Sequence, residues 1–219
     1  MEGFDLSIVV DFMPRFLHGA WVAIYISVFS LVLAIIIGLI VALARLSRSR
    51  PARTIARTYV DLIRGIPALI LILFVFFGLP QLGLRIDATL AGIIALGVNS
   101  GAYMGEIFRA GIQSVDSGQY EAGRSLGMSH IKAMRRIVLP QAVRQVIPPA
   151  TGETTNIIKG TSLLSVISIT ELTRVGQQVV GLTFRPIEAF LVVAILYLIM
   201  NTVVSYASTA LERRLAIPT

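Results

Sequence analysis

Three polar residues recur at every third position in the second half of the chain, where much of the neighbouring sequence is apolar. They are Glu153, Asn156 and Lys159, and Thr161 and Ser162 follow them closely. A charged side chain inside an apolar phase costs about 2.5–3.5 kcal/mol on insertion scales, so a helix that faces only lipid would not tolerate this row. The pattern indicates either a helix that lines a shared polar pathway or polar contacts buried between helices.

A second group of polar residues lies near the ends of two apolar stretches. Glu106 and Arg109 are three residues apart, a spacing that predicts an ion pair at the end of a helix, and Tyr103 precedes them by less than one turn. Arg64 stands just before Pro67, where its long side chain can extend towards water. We interpret these five residues as gating or structural residues.

No set of residues has the spacing of a catalytic or metal site. His18 and His130 each stand alone, without an acid or nucleophile at a recognisable distance along the chain. The sequence has no cysteine, which excludes disulfide and thiol chemistry. It also lacks the GxxxxGK[ST] loop that cradles phosphates. The chain is therefore not expected to be an enzyme, and if ATP drives its function, another chain must bind the ATP.

The composition indicates that a lipid bilayer surrounds much of the chain. Of the 219 residues, 55% are hydrophobic and only 14% are charged, whereas soluble domains are about 45–50% apolar and about 25% charged. The net charge of +7 comes from arginines in short clusters between apolar runs, a pattern that argues against nucleic-acid binding. We expect no cleavable signal peptide, because Met1–Asp11 is acidic and the first apolar run is too long for one.

The apolar runs predict five membrane-spanning helices, since about 20 residues suffice to cross the hydrocarbon core. The predicted spans cover approximately residues 20–44, 58–79, 88–112, 137–158 and 187–211. In the third span, Gly97, Gly101 and Gly105 share one face and would let a neighbouring helix approach closely. The fourth span is poor by hydropathy. Thr161–Ile169, which follows it, is too short to span and is predicted to be a half-helix or re-entrant segment.

The basic residues predict an outer N-terminus and an inner C-terminus. With this orientation, the inner side receives the arginine cluster of residues 45–57, the loop with Lys132, Arg135 and Arg136, and the terminal Arg213-Arg214. The outer side receives only scattered basic residues, and the polar stretch 170–185 is expected there. An excess of Lys and Arg on the cytoplasmic side is the usual rule for such proteins.

The polar stretch between the third and fourth spans, residues 113–136, is predicted to be a cytoplasmic helical loop. It contains Glu121-Ala122-Gly123-Arg124-Ser125-Leu126-Gly127, and Ile137-Val138-Leu139-Pro140 follows after nine residues. Gly127 supplies a bend that a residue with a Cβ atom would resist. Pro140 fits best near the start of the next helix, because in the middle it would remove a hydrogen bond. The order predicts a helix, a glycine turn and a second helix that returns to the membrane.

This loop resembles the coupling-loop signature of the membrane subunits of ATP-binding-cassette (ABC) importers, in the branch that takes up polar amino acids. The resemblance covers nearly the whole chain and includes Arg64–Pro67, Phe77–Pro80, Ala102–Arg109, Pro140–Ala142 and Lys159–Leu163. The sequence departs from the family pattern at Gly123, where alanine is usual, and at Gly152–Thr155, which lies on the proposed pathway. The second departure leaves the identity of the substrate open.

The resemblance implies an all-α membrane protein with the five-helix transmembrane core of a type I ABC importer permease, forming one domain over residues 1–219 in the bacterial inner membrane. It implies that residues 121–127 contact a separate ATPase. The expected partners are a second permease subunit in a homo- or heterodimer, two ATP-binding subunits that hold ATP and Mg²⁺, and an extracytoplasmic substrate-binding protein. No cofactor is expected on this chain. A polar amino acid would offer a carboxylate and an ammonium group to the row that begins at Glu153.

A different class of function stays open at this point. A passive channel or an ion-coupled secondary amino-acid carrier could use Glu153 and Lys159 without any ATPase, and the basic loop would then be incidental. Transport by the purified chain alone would favour that alternative.

Overall fold

The computed structural model describes residues 5–215, and every regular element in this range is a helix. The helices are α1 (Leu6–Leu46), α2 (Arg50–Gly65), α3 (Ala68–Leu73), α4 (Ala88–Gln113), α5 (Ser117–Ser125), α6 (His130–Ala133), α7 (Leu139–Gly160), α8 (Leu172–Thr183) and α9 (Pro186–Leu215). The predicted all-α fold class is confirmed. Met1–Asp11 is described only from Asp5, and the side chain of Arg214 lies outside the described part.

Two π-helical turns and one 3-10 segment extend these helices. The first π turn, Phe74–Gly78, continues α3 into a last α-helical turn at Leu79–Gln81. The second, Met134–Val138, joins α6 directly to α7. The 3-10 segment Thr161–Ile167 continues α7, and it ends at Ser168 in the left-handed conformation with a φ of 64°. This short segment is helical, in agreement with the half-helix predicted there.

Helix α1 is longer than the predicted first span. It begins at Leu6, so the span predicted at residues 20–44 lies inside it, and Pro14 is within the helix rather than ahead of it. Asp5 caps the start, because its carboxylate accepts a hydrogen bond from the Ser7 backbone N–H at 2.9 Å. Hydrogen bonds from the Ser7 hydroxyl and backbone lower the pKa of Asp5. This cap favours a helix that starts well before the apolar run.

The packing of α1 against α4 forms the centre of the fold, and the glycine row predicted on α4 makes it possible. A Cβ atom on Gly101 would lie 2.7 Å from Ile37 Cγ2, and one on Gly105 would lie 2.5 Å from Val41 Cγ1. The third glycine of the row meets Leu33 in the same way. Real Cβ atoms do not approach this closely, so only glycine permits the observed distance between the two helices.

The predicted second span, residues 58–79, is not one straight helix. Helices α2 and α3 meet at an angle of 106°. Ile66 at the junction is extended, with φ −105° and ψ 134°, because a residue that precedes proline disfavours the helical region. Pro67 is the N-cap residue of α3, which begins at Ala68. The bend separates the charged helix α2 from the apolar helix α3.

In the described residues, three helices are long and apolar enough to cross a membrane: α1, α4 and α9. The bent pair α2 and α3 would add a fourth crossing if it forms one broken span. Helix α7, the predicted fourth span, is not in this group, in line with its poor hydropathy. The number of five spans and the orientation of the chain stay predictions.

Helix α8, which lies within the polar stretch 170–185, packs against α1 and α9. Leu172, Val175 and Val179 are buried on its inner face. The structure therefore assigns the stretch predicted as an outer polar segment to a packed helix, although its side of the membrane stays a prediction.

Candidate functional site

The carboxylate of Glu153 is the centre of a polar group where α7 packs against α4. Glu153 is 7% exposed, and Asn156 Nδ2 donates a hydrogen bond to Glu153 Oε2 at 3.4 Å. Ser100 of α4, Arg64 and Lys159 are close enough to the carboxylate to act on it electrostatically. A buried carboxylate is costly unless it is paired. These contacts therefore allow α7 to carry an acidic group between helices.

The neighbouring polar residues of the row differ in their access to the surface. Asn156 and Lys159 are exposed, and Ser162 is half-buried. The Ser162 hydroxyl donates a hydrogen bond to the Lys159 carbonyl at 2.7 Å. The structure thus brings Glu153 and Asn156 into contact and leaves Lys159 accessible one turn further along α7.

Thr161 is turned into the protein, away from this surface. It is fully buried, and its hydroxyl donates a hydrogen bond to the Ile158 carbonyl at 2.7 Å. The same oxygen lies 3.3 Å from the Tyr197 hydroxyl of α9. Of the five residues predicted for the pathway, Thr161 has contacts that fit a structural role.

A buried network at Glu171 was not anticipated from the sequence. Glu171 is 0% exposed, and it accepts backbone hydrogen bonds from Thr173 and Arg174, each at 2.8 Å, as the cap of α8. The Tyr197 hydroxyl donates a third hydrogen bond to it at 2.9 Å. Together with Thr161, these residues fasten the 3-10 segment to α8 and α9. The position of an acid just ahead of a helix was the available signal.

Arg64 lies at the end of α2, beside the bend that leads to Pro67. Its guanidinium carbon is 5.0 Å from the centre of the Tyr103 ring on α4, a distance typical of cation–π contacts. It is exposed, and its charge reaches both Glu153 and Glu106. Arg64 and Tyr103 therefore connect the bend to the polar side of α4, which fits either the gating or the structural interpretation.

The predicted pair of Glu106 and Arg109 is present, and a second arginine joins it. Arg109 Nη2 lies 2.8 Å from Glu106 Oε2, and Arg45 Nη1 of α1 lies 3.3 Å from Glu106 Oε1. Arg109 also donates a hydrogen bond to Gln113. The sequence indicated the local pair through its spacing, whereas the contact of Arg45 depends on how α1 and α4 align. The carboxylate of Glu106 thus ties the ends of two helices together.

The predicted helix, glycine turn and returning helix are found in the loop of residues 113–136. Helix α5 ends at Ser125, with Leu126 as its C-cap, and Gly127 adopts a φ of 81°, a conformation that glycine accepts without strain. The Ser129 hydroxyl caps α6. Pro140 occupies the first turn of α7, as expected. The Tyr120 hydroxyl lies 2.9 Å from His130 Nδ1, which braces α5 against α6.

The surface that α5 and α6 present to solvent is partly apolar. Leu126 is 81% exposed and Ile131 is 76% exposed. Glu121, Ala122, Arg124, Ser125 and Gly127 are also exposed. Gly123 alone in this motif is buried, and a Cβ atom on it would lie 2.5 Å from Ile137 Cδ1. Glycine at this position therefore lets α5 pack tightly on the π turn that leads into α7.

In the part of the chain that the structure describes, no group of three or more His, Cys, Asp or Glu side chains could hold a metal ion. The polar residues at Glu153 bring one acidic group near the basic groups of Arg64 and Lys159, where α7 packs against α4. Helices that are long and apolar enough to cross a membrane, with an exposed helix pair between two of the longer helices, are typical of an integral membrane protein.

The chain belongs to the family described as binding-protein-dependent transport system inner membrane component, which matches residues 34–217. It is 38% identical over 216 residues to the glutamine transport system permease protein GlnP of Escherichia coli (strain K12), an alignment that covers 98% of this chain and 99% of that protein. It is 33% identical over 212 residues to the arginine transport system permease protein ArtQ of Bacillus subtilis (strain 168), covering 96% and 97%.

Solved structures give the same result. The crystal structure of an amino acid ABC transporter with histidines superposes with a TM-score of 0.90 at 36% identity, covering 97% of this chain and 100% of that chain. The inward-facing methionine transporter MetNI has a TM-score of 0.81 at 20% identity and supports the fold alone. These findings confirm the predicted ABC permease family, the inner-membrane localisation and the absence of an enzymatic role. They favour an importer permease over a passive channel or an ion-coupled carrier.

Proposed function

We propose that this chain forms the translocation pathway of an ATP-driven importer for a polar amino acid and couples to its ATPase through the loop of residues 121–140. The observation that carries the proposal is the exposed surface of α5 and α6, where Leu126 and Ile131 lie open beside basic side chains. Exposed apolar residues at a helix turn are typical of a docking surface. The glutamine and arginine systems of the two relatives support a polar amino acid as the substrate.

The coupling contact would be made by the motif from Glu121 to Gly127. Gly127 turns the chain so that α5 and α6 present one continuous surface, and the bond between Tyr120 and His130 holds the two helices together. Since the π turn leads from α6 into α7 without a break, a push on α5 or α6 is transmitted to the helix that carries Glu153. This connection supports α7 as the moving part of the pathway.

The assembly proposed around this chain contains a second permease subunit, identical or different, two ATP-binding subunits and an extracytoplasmic substrate-binding protein. ATP and Mg²⁺ would be bound by the ATP-binding subunits, and this chain would hold no cofactor. The proposed orientation, with the N-terminus outside, puts the α5–α6 surface on the cytoplasmic side, where an ATPase can reach it.

The substrate would pass along the polar side of α7. In this proposal, Glu153 attracts the ammonium group or a cationic side chain, and Lys159 attracts the carboxylate, with Asn156 and Ser162 as hydrogen-bonding partners. Thr161 positions the start of the 3-10 segment. Arg64 and Tyr103, beside the bend at Pro67, would gate access to Glu153.

The coupling proposal is tested by changing the exposed apolar surface. Leu126→Asp is compared with Leu82→Asp, which alters an equally open leucine, 74% exposed, in the loop before α4. In proteoliposomes with all partner subunits, Leu126→Asp is expected to abolish substrate-stimulated ATP hydrolysis and reduce co-purification of the ATPase. The Leu82 variant should keep both. Normal hydrolysis and uptake in the Leu126 variant would refute the assigned docking surface.

A further inference from the structure

A cavity of about 300 Å³ lies where the ends of α1 and α4 meet the first half of α2. Its lining is Arg45, Arg53, Thr54, Arg57, Arg109 and Gln113. Four of these six side chains are arginines, and none is acidic. None of these lining residues belongs to α5, α6 or α7, so the cavity shares no lining residue with the polar row of α7 or with the exposed surface of α5 and α6.

The positive charges around this cavity are only partly balanced. Glu106 is shared between the arginines of α1 and α4. Arg57 faces Asp61 at 3.5 Å, but both side chains are largely exposed, at 74% and 65%. Arg53 directs its Nη1 to the Ser47 carbonyl at 2.8 Å, and no ion pair between it and a described carboxylate is present. Two carboxylates therefore face four guanidinium groups.

This arrangement is suited to a phosphate group. The guanidinium group presents several N–H donors in a planar fork that matches the oxygen atoms of a phosphate. Thr54 and Gln113 add neutral hydrogen-bonding groups beside the arginines. Because Arg53 and Arg57 are exposed, a ligand can enter from solvent or from the membrane boundary.

The other side of α2 has the properties of a surface in contact with lipid tails. A groove of about 440 Å³ runs between α1 and α2 and is lined by Ile37, Ile40, Val41, Ala44, Ala52, Ile55, Ala56 and Tyr59. Ile55 is 71% exposed and Ile40 is 63% exposed. A helix with basic residues on one side and an apolar groove on the other is typical of the membrane interface.

We propose that the arginine cavity binds the phosphate of an anionic phospholipid headgroup, with α2 lying at the bilayer boundary and the groove beside it accommodating an acyl chain. Basic pockets between helices at a membrane surface are known to favour such headgroups. In the predicted orientation, the lipid belongs to the inner leaflet. The bound lipid would hold α2 against the ends of α1 and α4. This site is independent of the substrate and of the ATPase contact, so it can be tested apart from transport.

The experiment measures lipid binding to the assembled, detergent-purified transporter by titration with phosphatidylglycerol and with phosphatidylcholine. Arg53→Gln combined with Arg57→Gln is the test variant. Arg48→Gln combined with Arg50→Gln removes the same charge just outside the cavity and is the control. Each arginine near an anionic headgroup is expected to contribute about fivefold to the affinity. The test variant should therefore weaken phosphatidylglycerol binding by about 25-fold and the control by less than about twofold.

Two further measurements complete the experiment. One tests whether a folding defect explains the loss of binding, and the other distinguishes a lipid headgroup from a soluble phosphate. Arg53→Lys combined with Arg57→Lys keeps the charge but loses the planar fork, and it should assemble normally while binding phosphatidylglycerol several-fold more weakly. Inorganic phosphate and pyrophosphate are titrated without lipid. Saturable binding of either at the affinity of phosphatidylglycerol would show a site for a soluble anion and overturn the lipid assignment. Equal losses in the test and control variants, or equal binding of phosphatidylcholine, would also overturn it.

Discussion

Replacement of Gly123 by valine tests whether the close packing of α5 on the π turn controls coupling. The added Cβ atom would start 2.5 Å from Ile137 Cδ1, and the further methyl groups would meet Met128 Sδ and Ala133 Cβ, which lie 3.6 and 3.7 Å from the Cβ position. Overpacking of this kind costs about 1–3 kcal/mol. Alanine stabilises a helix by approximately 1 kcal/mol relative to glycine. Valine gives only part of this stabilisation, because branching at Cβ restricts its rotamers.

The overpacking cost, less the gain in helix propensity, is therefore about 1–2 kcal/mol, and it is expected to displace α5. This corresponds to an approximately tenfold loss of apparent affinity for the ATPase. The assay is titration of the reconstituted permease with its ATPase, read out as substrate-stimulated ATP hydrolysis. Because the contact is to the terminal Cδ1 atom, Ile137→Val should relieve it. The double variant Gly123→Val/Ile137→Val is thus expected to recover most of the affinity.

Gly181→Val is the matched control, since a Cβ atom there meets nothing within 4 Å and the residue also lies in a helix. Two results would refute the reasoning. One is normal coupling in the Gly123 variant. The other is a loss of coupling that Ile137→Val leaves unchanged, because the contact between the two residues would then not be its cause.

Three further predictions concern the polar contacts. Glu153→Gln should reduce uptake of labelled glutamine or arginine at least about tenfold in proteoliposomes, while ATPase co-purification stays normal; undiminished uptake of both would remove Glu153 from the pathway. Glu106→Gln should destabilise the protein by about 1–3 kcal/mol, because Arg45 and Arg109 lose their shared partner. Thermal unfolding in detergent measures this, and an unchanged midpoint would contradict it. Tyr197→Phe should cost about 1 kcal/mol by removing a hydrogen bond to Glu171, whereas the exposed Tyr206→Phe serves as its control and should change nothing.

Local spacing predicted the parts of the fold that depend on one helix at a time. The glycine row on α4 and the turn at Gly127 follow from the backbone that glycine allows, and both are present. The length of α1 was underestimated, since the predicted span covered only the apolar run at residues 20–44, whereas the cap at Asp5 and the packing of the first turns extend the helix towards the N-terminus. The bend at Pro67 had a visible signal, but its angle depends on how α2 packs against α1 and α4.

In the candidate site, too, contacts within one helix could be predicted and contacts between helices could not. The pairing of Glu106 with Arg109 follows from a three-residue separation, and the polar row of α7 follows from the cost of charge in an apolar phase. The contacts of Arg45 with Glu106 and of Tyr197 with Glu171 join residues 61 and 26 positions apart, so no local period could reveal them. Thr161 shows the limit most clearly. It was grouped with Lys159 because the two are close in sequence, but side chains two residues apart on a helix do not share a face, and Thr161 is buried whereas Lys159 is exposed.

The seam of α1 and α4 restricts where the subunit can deform. Side chains of α1 pack against the glycines of α4. If α1 slid along α4 by less than the spacing between two of these glycines, Ile37 and Val41 would collide with the backbone of α4. Helices α1 and α4 should therefore move as one rigid body during a transport cycle. The movements that open and close a passage are then expected in the elements that pack against this helix pair. These are the bend at Pro67, and α7 with the 3-10 segment that continues it.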